Sequence, residues 1–327
     1  MRAVAVTSSS PWTFHLHAVT WLVVLALGLA YGDAVRRTGG ASRRHIVATA
    51  GALVLLLVAL TWPLADLAAH WSLTALVCQR LLLILAVPPL LIIGLPPRLL
   101  ARLTRPAAVD AVVRRCARPP IAVAVVTVIA VATLTTGAVE AQGSSVWARS
   151  ALDLALLVAG LVLWTPVLTE VPGADRPSAL GRAGYLIVQS IVPSFLAVVW
   201  IFAKHPLYPH FAHGPELLSV SPLMDQQIAG FVAKFGTIAV LWTVAFVSMT
   251  RAQHTVTTGG DPDPLLWSDV ERHLERAERK ERRRRAWLPP SYEDPPTAPE
   301  RPSYEDPPTA PERTDVGDTE PRPSDEP

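Results

Sequence analysis

The sequence predicts an all-α, polytopic membrane helix bundle of about seven transmembrane helices, followed by a disordered C-terminal tail. Three observations point there. Half of the 327 residues are hydrophobic and 17% are charged, with a mean hydropathy of +0.33. The charge is unevenly placed: residues 1–250 hold 17 Lys+Arg and 9 Asp+Glu, whereas residues 251–327 hold 12 and 18. The net charge of +2 therefore joins a body at +8 to a tail at −6. Finally, apolar runs in the body reach the roughly 18–20 residues needed to span hydrocarbon. This body excludes a soluble enzyme domain. It also argues against a nucleic-acid reader, because its basic residues lie in short loops between spans.

Seven apolar segments follow one another near 14–32, 46–66, 72–96, 119–138, 149–169, 183–203 and 226–249. Each is expected to be helical, since only a helix satisfies its own backbone in lipid. Pro88 and Pro89 lie inside the third segment and predict a kink. The first segment is expected to stay as a span and not to be a cleaved signal peptide, because the polar stretch Thr7–Pro11 precedes it and a basic loop follows. Cys78 falls in a span and Cys116 in a loop, which argues against a structural disulfide.

Loop charge predicts orientation. Arg36, Arg37, Arg43 and Arg44 follow the first span, and Arg98, Arg102, Arg105, Arg114, Arg115 and Arg118 follow the third. The alternate loops are nearly free of Lys and Arg. The basic loops are expected on the cytoplasmic side of the cell membrane, with the N-terminus outside and the C-terminus inside. Trp12, Trp62, Trp71, Trp147 and Trp200 then fall at the outer interface as an aromatic belt. The stretch 98–118 is expected to lie along the inner leaflet as an amphipathic element in contact with lipid.

The expected organisation is a seven-helix transmembrane domain over 1–250, a charged juxtamembrane helix over 251–288 and a disordered tail over 289–327. The tail contains PSYEDPPTAPER twice, at Pro290–Arg301 and Pro302–Arg313. Its proline and acid content is too rich to bury a core. The run Arg282–Arg285 is placed to hold the tail near anionic lipid.

Several patterns, taken in order, resemble one family. They are TWPLADLA at 61–68, LLLILAVPPLLIIGLPPRLL at 81–100, GLVLWTPVL at 160–168, HPLYPHFA at 205–212 and DQQIAG at 225–230. On seven spans they look like the multi-pass membrane CtaG family of cytochrome c oxidase assembly proteins, over roughly residues 12–250. The resemblance implies a role in maturing a haem–copper terminal oxidase. It implies oxidase subunits or a copper chaperone as partners, and it makes copper a candidate cofactor, although the residues themselves fix no cofactor.

The departures from that family are informative. The resemblance implies a histidine pair at i and i+4 in the third span, a spacing that puts both on one helical face. Those places here are Leu76 and Arg80. A similar pair in the fifth span is replaced by Arg149 and Asp153, and Met-Trp after Asp-Gln-Gln by Ala233 and Lys234. Arginine has no usable lone pair for a metal. Arg80, Asp153 and Lys234 each lie roughly 12 Å into the membrane at 1.5 Å per residue. Charges in lipid cost about 2.5–3.5 kcal/mol each on insertion scales, so they should face inward and pair. An Arg80–Asp153 ion pair is expected, with Arg149 and Lys234 nearby, either plugging the bundle or binding an anion or a haem propionate.

Two further groups stand out. His15, His17, His70, His205, His210 and His213 cluster toward the outer face and are candidates for a displaced copper site. Met224 is the one thioether nearby, poor provision for Cu(I). Asp225, Gln226 and Gln227 open the last span. Asp225 suits the dipole of its own helix, and the two glutamines are expected to hydrogen-bond between helices. The leading function is a non-enzymatic accessory factor for cytochrome c oxidase assembly, a divergent paralogue without the family's copper site. The alternative is a transporter or channel-like protein using Arg80, Asp153 and Lys234 as a polar path.

Overall fold

A computed structural model of the chain describes residues 12–168, 177–212 and 219–257. The regular structure among them is helical. In chain order the helices are α1 (Ala18–Arg37), α2 (Arg43–Leu60), the single turn α3 (Leu64–Asp66), α4 (Leu73–Leu81), α5 (Val87–Gly94), α6 (Pro97–Leu103), α7 (Ala107–Cys116), α8 (Pro119–Thr133), α9 (Thr136–Ser144), α10 (Val146–Leu168), α11 (Ala179–Phe202) and α12 (Pro222–Thr257). Two wide, π-helical turns interrupt them at Leu67–Trp71 and Leu82–Ala86.

Six stretches are long and apolar enough to cross a membrane: α1, α2, Leu73–Gly94, α10, α11 and most of α12. A seventh exists if α7 and α8, bent by 90° at Ala117–Arg118, are taken as one. The chain is thus a membrane protein of six or seven spans. The fourth predicted segment is the one that falls short. Its helix α8 has 15 residues, which rise about 22 Å against a hydrocarbon core of about 30 Å. The Thr135 hydroxyl then caps α9 by accepting from Ala138 N at 3.4 Å, starting a new helix where one span was expected to continue. α12 runs past the expected boundary at 250, to Thr257. Residues 258–327, including the repeat, lie outside the described residues.

Prolines and buried donors shape the bundle. Pro88 and Pro89 do interrupt the third span: the wide turn Leu82–Ala86 precedes them, and α5 starts with them in its first turn. Pro88 has no N–H for the Ile84 carbonyl. The Trp164 indole Nε1 from α10 donates to that carbonyl instead, at 3.1 Å. Gly160, one turn earlier, lets α10 approach this closely, since a Cβ there would lie 2.7 Å from Ile84 O and would overlap Pro88. Pro63 likewise leaves the Ala59 carbonyl without its partner, and Gln79 Nε2 from α4 donates to it at 3.0 Å. Leu85, Val126, Leu163, Trp164, Leu186 and Leu241 form one buried cluster that draws on α8, α10, α11, α12 and the wide turn. α1 is peripheral, with only Val24 buried.

Candidate functional site

One end of the bundle gathers the predicted polar residues. Ser72 is extended and caps α4 through Ala75 N, so the first N–H groups of α4 are free to meet another acceptor. That acceptor is Asp225, only 6% exposed in the first turn of α12. Its Oδ2 accepts from Leu73 N at 2.7 Å, and its Oδ1 accepts from the Ser72 hydroxyl at 2.7 Å and from Thr74 N at 3.4 Å. The Thr74 hydroxyl donates to the Asp225 carbonyl at 2.9 Å. The carboxylate expected to serve its own helix therefore also holds the N-terminus of α4, where the dipole favours an anion. Gln226 Oε1 accepts from Leu207 N at 2.7 Å, a loop backbone and not a neighbouring helix. Gln227 is half-buried.

The intramembrane charges are arranged differently from the expectation. Arg80, 6% exposed, donates from Nη2 to Gln142 Oε1 at 3.0 Å. The expected direct pair with Asp153 is not formed: Asp153 lies within Coulombic reach of Arg80 and Arg149, but no ion pair joins them among the described residues. The two residues share a depth, but the helices are not rotated to bring the carboxylate onto the guanidinium. The helix break after α8 carries Gln142 of α9 to Arg80 Nη2, and Nη1 stays without a partner. Arg149 turns toward the same end, donating from Nε to Gln142 O at 3.3 Å and lying 3.3 Å, through Nη2, from His70 Nε2. Lys234 is half-buried and makes no hydrogen bond or ion pair with this group among the described residues. Its neighbour Ala233 faces the interior, and a step of about 100° per residue turns Lys234 away.

The histidines do not converge. His15 Nδ1 lies 3.1 Å from Asp66 Oδ2, and His17 Nε2 lies 3.2 Å from Asp66 Oδ1 without hydrogen-bond geometry. His70 and His210 face each other with ring centroids 6.4 Å apart. His210 Nε2 is 2.7 Å from Ala69 O, so this nitrogen carries the proton. Gly143 makes room for that ring, since a Cβ there would overlap it. His205 is exposed, and His213 lies outside the described residues. Partial desolvation of this still exposed ring, then the adjacent Arg149 and His210, hold His70 below the ordinary imidazole value. Among the described residues, no group of three or more His, Cys, Asp or Glu is placed to hold a metal ion.

A family model for the cytochrome c oxidase caa3 assembly factor, Caa3_CtaG, matches residues 8–254. The chain belongs to this family. The match takes in α1 to α11 and nearly all of α12, and leaves out the tail, as the local patterns implied. No curated protein and no solved structure matches the chain. Copper, implied by the family resemblance, does not fit the residues that stand at the four implied histidine places. Leu76 is fully buried and apolar, Arg80 and Arg149 are donor-only groups engaged with Gln142, and Asp153 alone offers an oxygen ligand.

Behind Gln142 lies a cavity of about 90 Å³ between α4, the wide turn Leu82–Ala86, α8, α10, α11 and α12. Its walls are mostly apolar, and Trp200, Thr127, Gln189 and Arg80 line it. Arg80 Nη1, Gln189 Oε1 and Thr127 Oγ1 are buried with no hydrogen-bond partner. The sequence reading singled out Arg80 and missed the glutamines 79, 142 and 189. Their signal was there: an amide inside an apolar segment, expensive unless it has a partner or a purpose.

Proposed function

We propose that this family member is a non-enzymatic, membrane-integral accessory factor in the maturation of a haem–copper terminal oxidase, acting as a divergent paralogue that steadies an oxidase subunit without carrying copper in its spans. The observation that carries the proposal is the family match over residues 8–254. Support for the copper-free form comes from Arg80 and Arg149, which hold Gln142 at places where the resemblance implies ligands. The partners are oxidase subunits or a copper chaperone, and the orientation is N-terminus outside and C-terminus cytoplasmic in the cell membrane. The basic residues of the loops at 36–44 and 98–118 support that orientation.

The test has two arms. Deletion should lower terminal oxidase activity, and added copper should not restore it. Pull-down from solubilised membranes should recover oxidase subunits. Full rescue by copper, or stoichiometric copper on the purified chain, would replace this proposal with a copper-handling one. Unchanged oxidase activity with no recovered subunit would end the assembly role.

A further inference from the structure

We propose that the cavity inside the bundle is a binding site for a single-chain lipid carboxylate, a fatty-acid anion, whose head is held by Arg80. This stands apart from the assembly role and rests on the cavity alone.

Shape gives the first argument. Along α4 and the wide turn the lining runs from Val77 to Leu85, and along α12 from Ala233 to Leu241. Eight residues of helix span about 12 Å, so about 90 Å³ is spread along a slot and not gathered into a sphere. A slot with apolar walls suits one acyl chain better than a ring system or a hydrated ion. Val131 lines the cavity and is also 44% exposed on the lipid-facing side of α8. The cavity thus has an edge open to the bilayer, from which a chain can enter sideways and into which its far end can extend.

Hydrogen bonding gives the second. Arg80 Nη2 is taken by Gln142, but Nη1 is buried without a partner. A buried, unmet guanidinium donor is costly and calls for an acceptor. The Thr127 hydroxyl can donate, and the Gln189 amide can present its NH₂ by a half-turn about its last torsion. The lining residues include no carboxylate. Such a donor set selects an oxygen-rich acceptor.

Charge gives the third. Asp153 lies within Coulombic reach of both Arg80 and Arg149, and Arg149 has Asp66 within reach as well. Arg80 itself forms no ion pair with a carboxylate among the described residues, so a monoanion at Nη1 would meet its charge in a low-dielectric surrounding, where pairing is strong.

The experiment is equilibrium binding of radiolabelled oleate to the full chain in phosphatidylcholine nanodiscs, with empty discs subtracted for partitioning. One saturable oleate per chain is expected. Arg80→Gln should weaken it about tenfold or more, the loss of one charged hydrogen bond. Thr127→Val keeps shape and removes the hydroxyl, and should weaken binding several-fold. Val131→Trp, at a half-exposed position on the rim, should block entry, with an unchanged thermal unfolding profile as the check on folding. Oleyl alcohol and formate should compete poorly. Absence of saturable binding would overturn the proposal. Oleate affinity unchanged in both Arg80→Gln and Val131→Trp would overturn it too. Competition by formate as strong as by oleate would make the site one for a small anion and overturn the acyl-chain reading.

Discussion

Asp225 is the residue on which one end of the bundle depends. Its carboxylate accepts three hydrogen bonds from Ser72, Leu73 and Thr74. Hydrogen bonds to a charged group contribute about 1.5–3 kcal/mol each, and leaving their buried donors unmet costs more than removing both sides. Asp225→Ala should therefore lower stability in detergent by about 3 kcal/mol or more, with Ser72→Ala costing about 1 kcal/mol; thermal unfolding of the two variants checks the order. His70 makes the pH prediction. Its folded pKa lies below the ordinary value, so the unfolded chain takes up the proton first. The contribution of neutral His70 is complete above about pH 6.5 and is lost as pH falls below that value toward the folded pKa. Protonation also removes the acceptor that faces Arg149 Nη2. Hydrogen exchange at Leu67–Trp71 should rise on acidification through this window, and His70→Gln should flatten the response.

Between elements, contacts are set by proline-freed and terminal carbonyls meeting long donor side chains. Trp164 serves Ile84 O, Gln79 serves Ala59 O, Tyr31 serves Gly94 O at 2.9 Å and Tyr208 serves Leu134 O at 2.7 Å. Each donor comes from a different element than its acceptor, so the bond ties two elements in a place where lipid offers no hydrogen bonds. Trp164→Phe keeps most of the volume and leaves the Ile84 carbonyl unmet, at a cost of about 1–3 kcal/mol. Gly160→Val forces α10 off the Pro88 turn and should cost more than Trp164→Phe. The same unfolding assay ranks them, and a milder effect of Gly160→Val would contradict the close approach.

For the molecule as a whole, the orientation is open to direct labelling. Glu140 is exposed on α9, at the end of the bundle that carries Asp225 and His210, and Cys116 is half-exposed among the arginines. An impermeant maleimide should label Glu140→Cys in intact cells and Cys116 only after permeabilisation. The reverse pattern would invert the proposed orientation.

The fold class and the span order were legible in the sequence because lipid imposes simple demands: runs of apolar residues, self-satisfied backbone and arginine kept in alternate loops. The family was legible for a related reason, since its patterns sit at span ends where prolines and polar residues are scarce and positioned. Single residues carry these signals. Partner choice does not show in one strand of text. Asp225, 153 residues from Ser72, looked like the cap of its own helix. Arg80 looked like the partner of Asp153 because both lie at one depth, yet depth fixes only height, and rotation about each helix decides who meets whom. α9 carries Gln142 to one Arg80 nitrogen while the other meets no carboxylate, and the turn of α12 that directs Ala233 inward takes Lys234 away. The seven apolar segments follow from the sequence alone, whereas the short fourth helix and its 90° bend from α7 belong to the structure. The cavity and its unpaired polar atoms exist only because five helices and the wide turn meet around it.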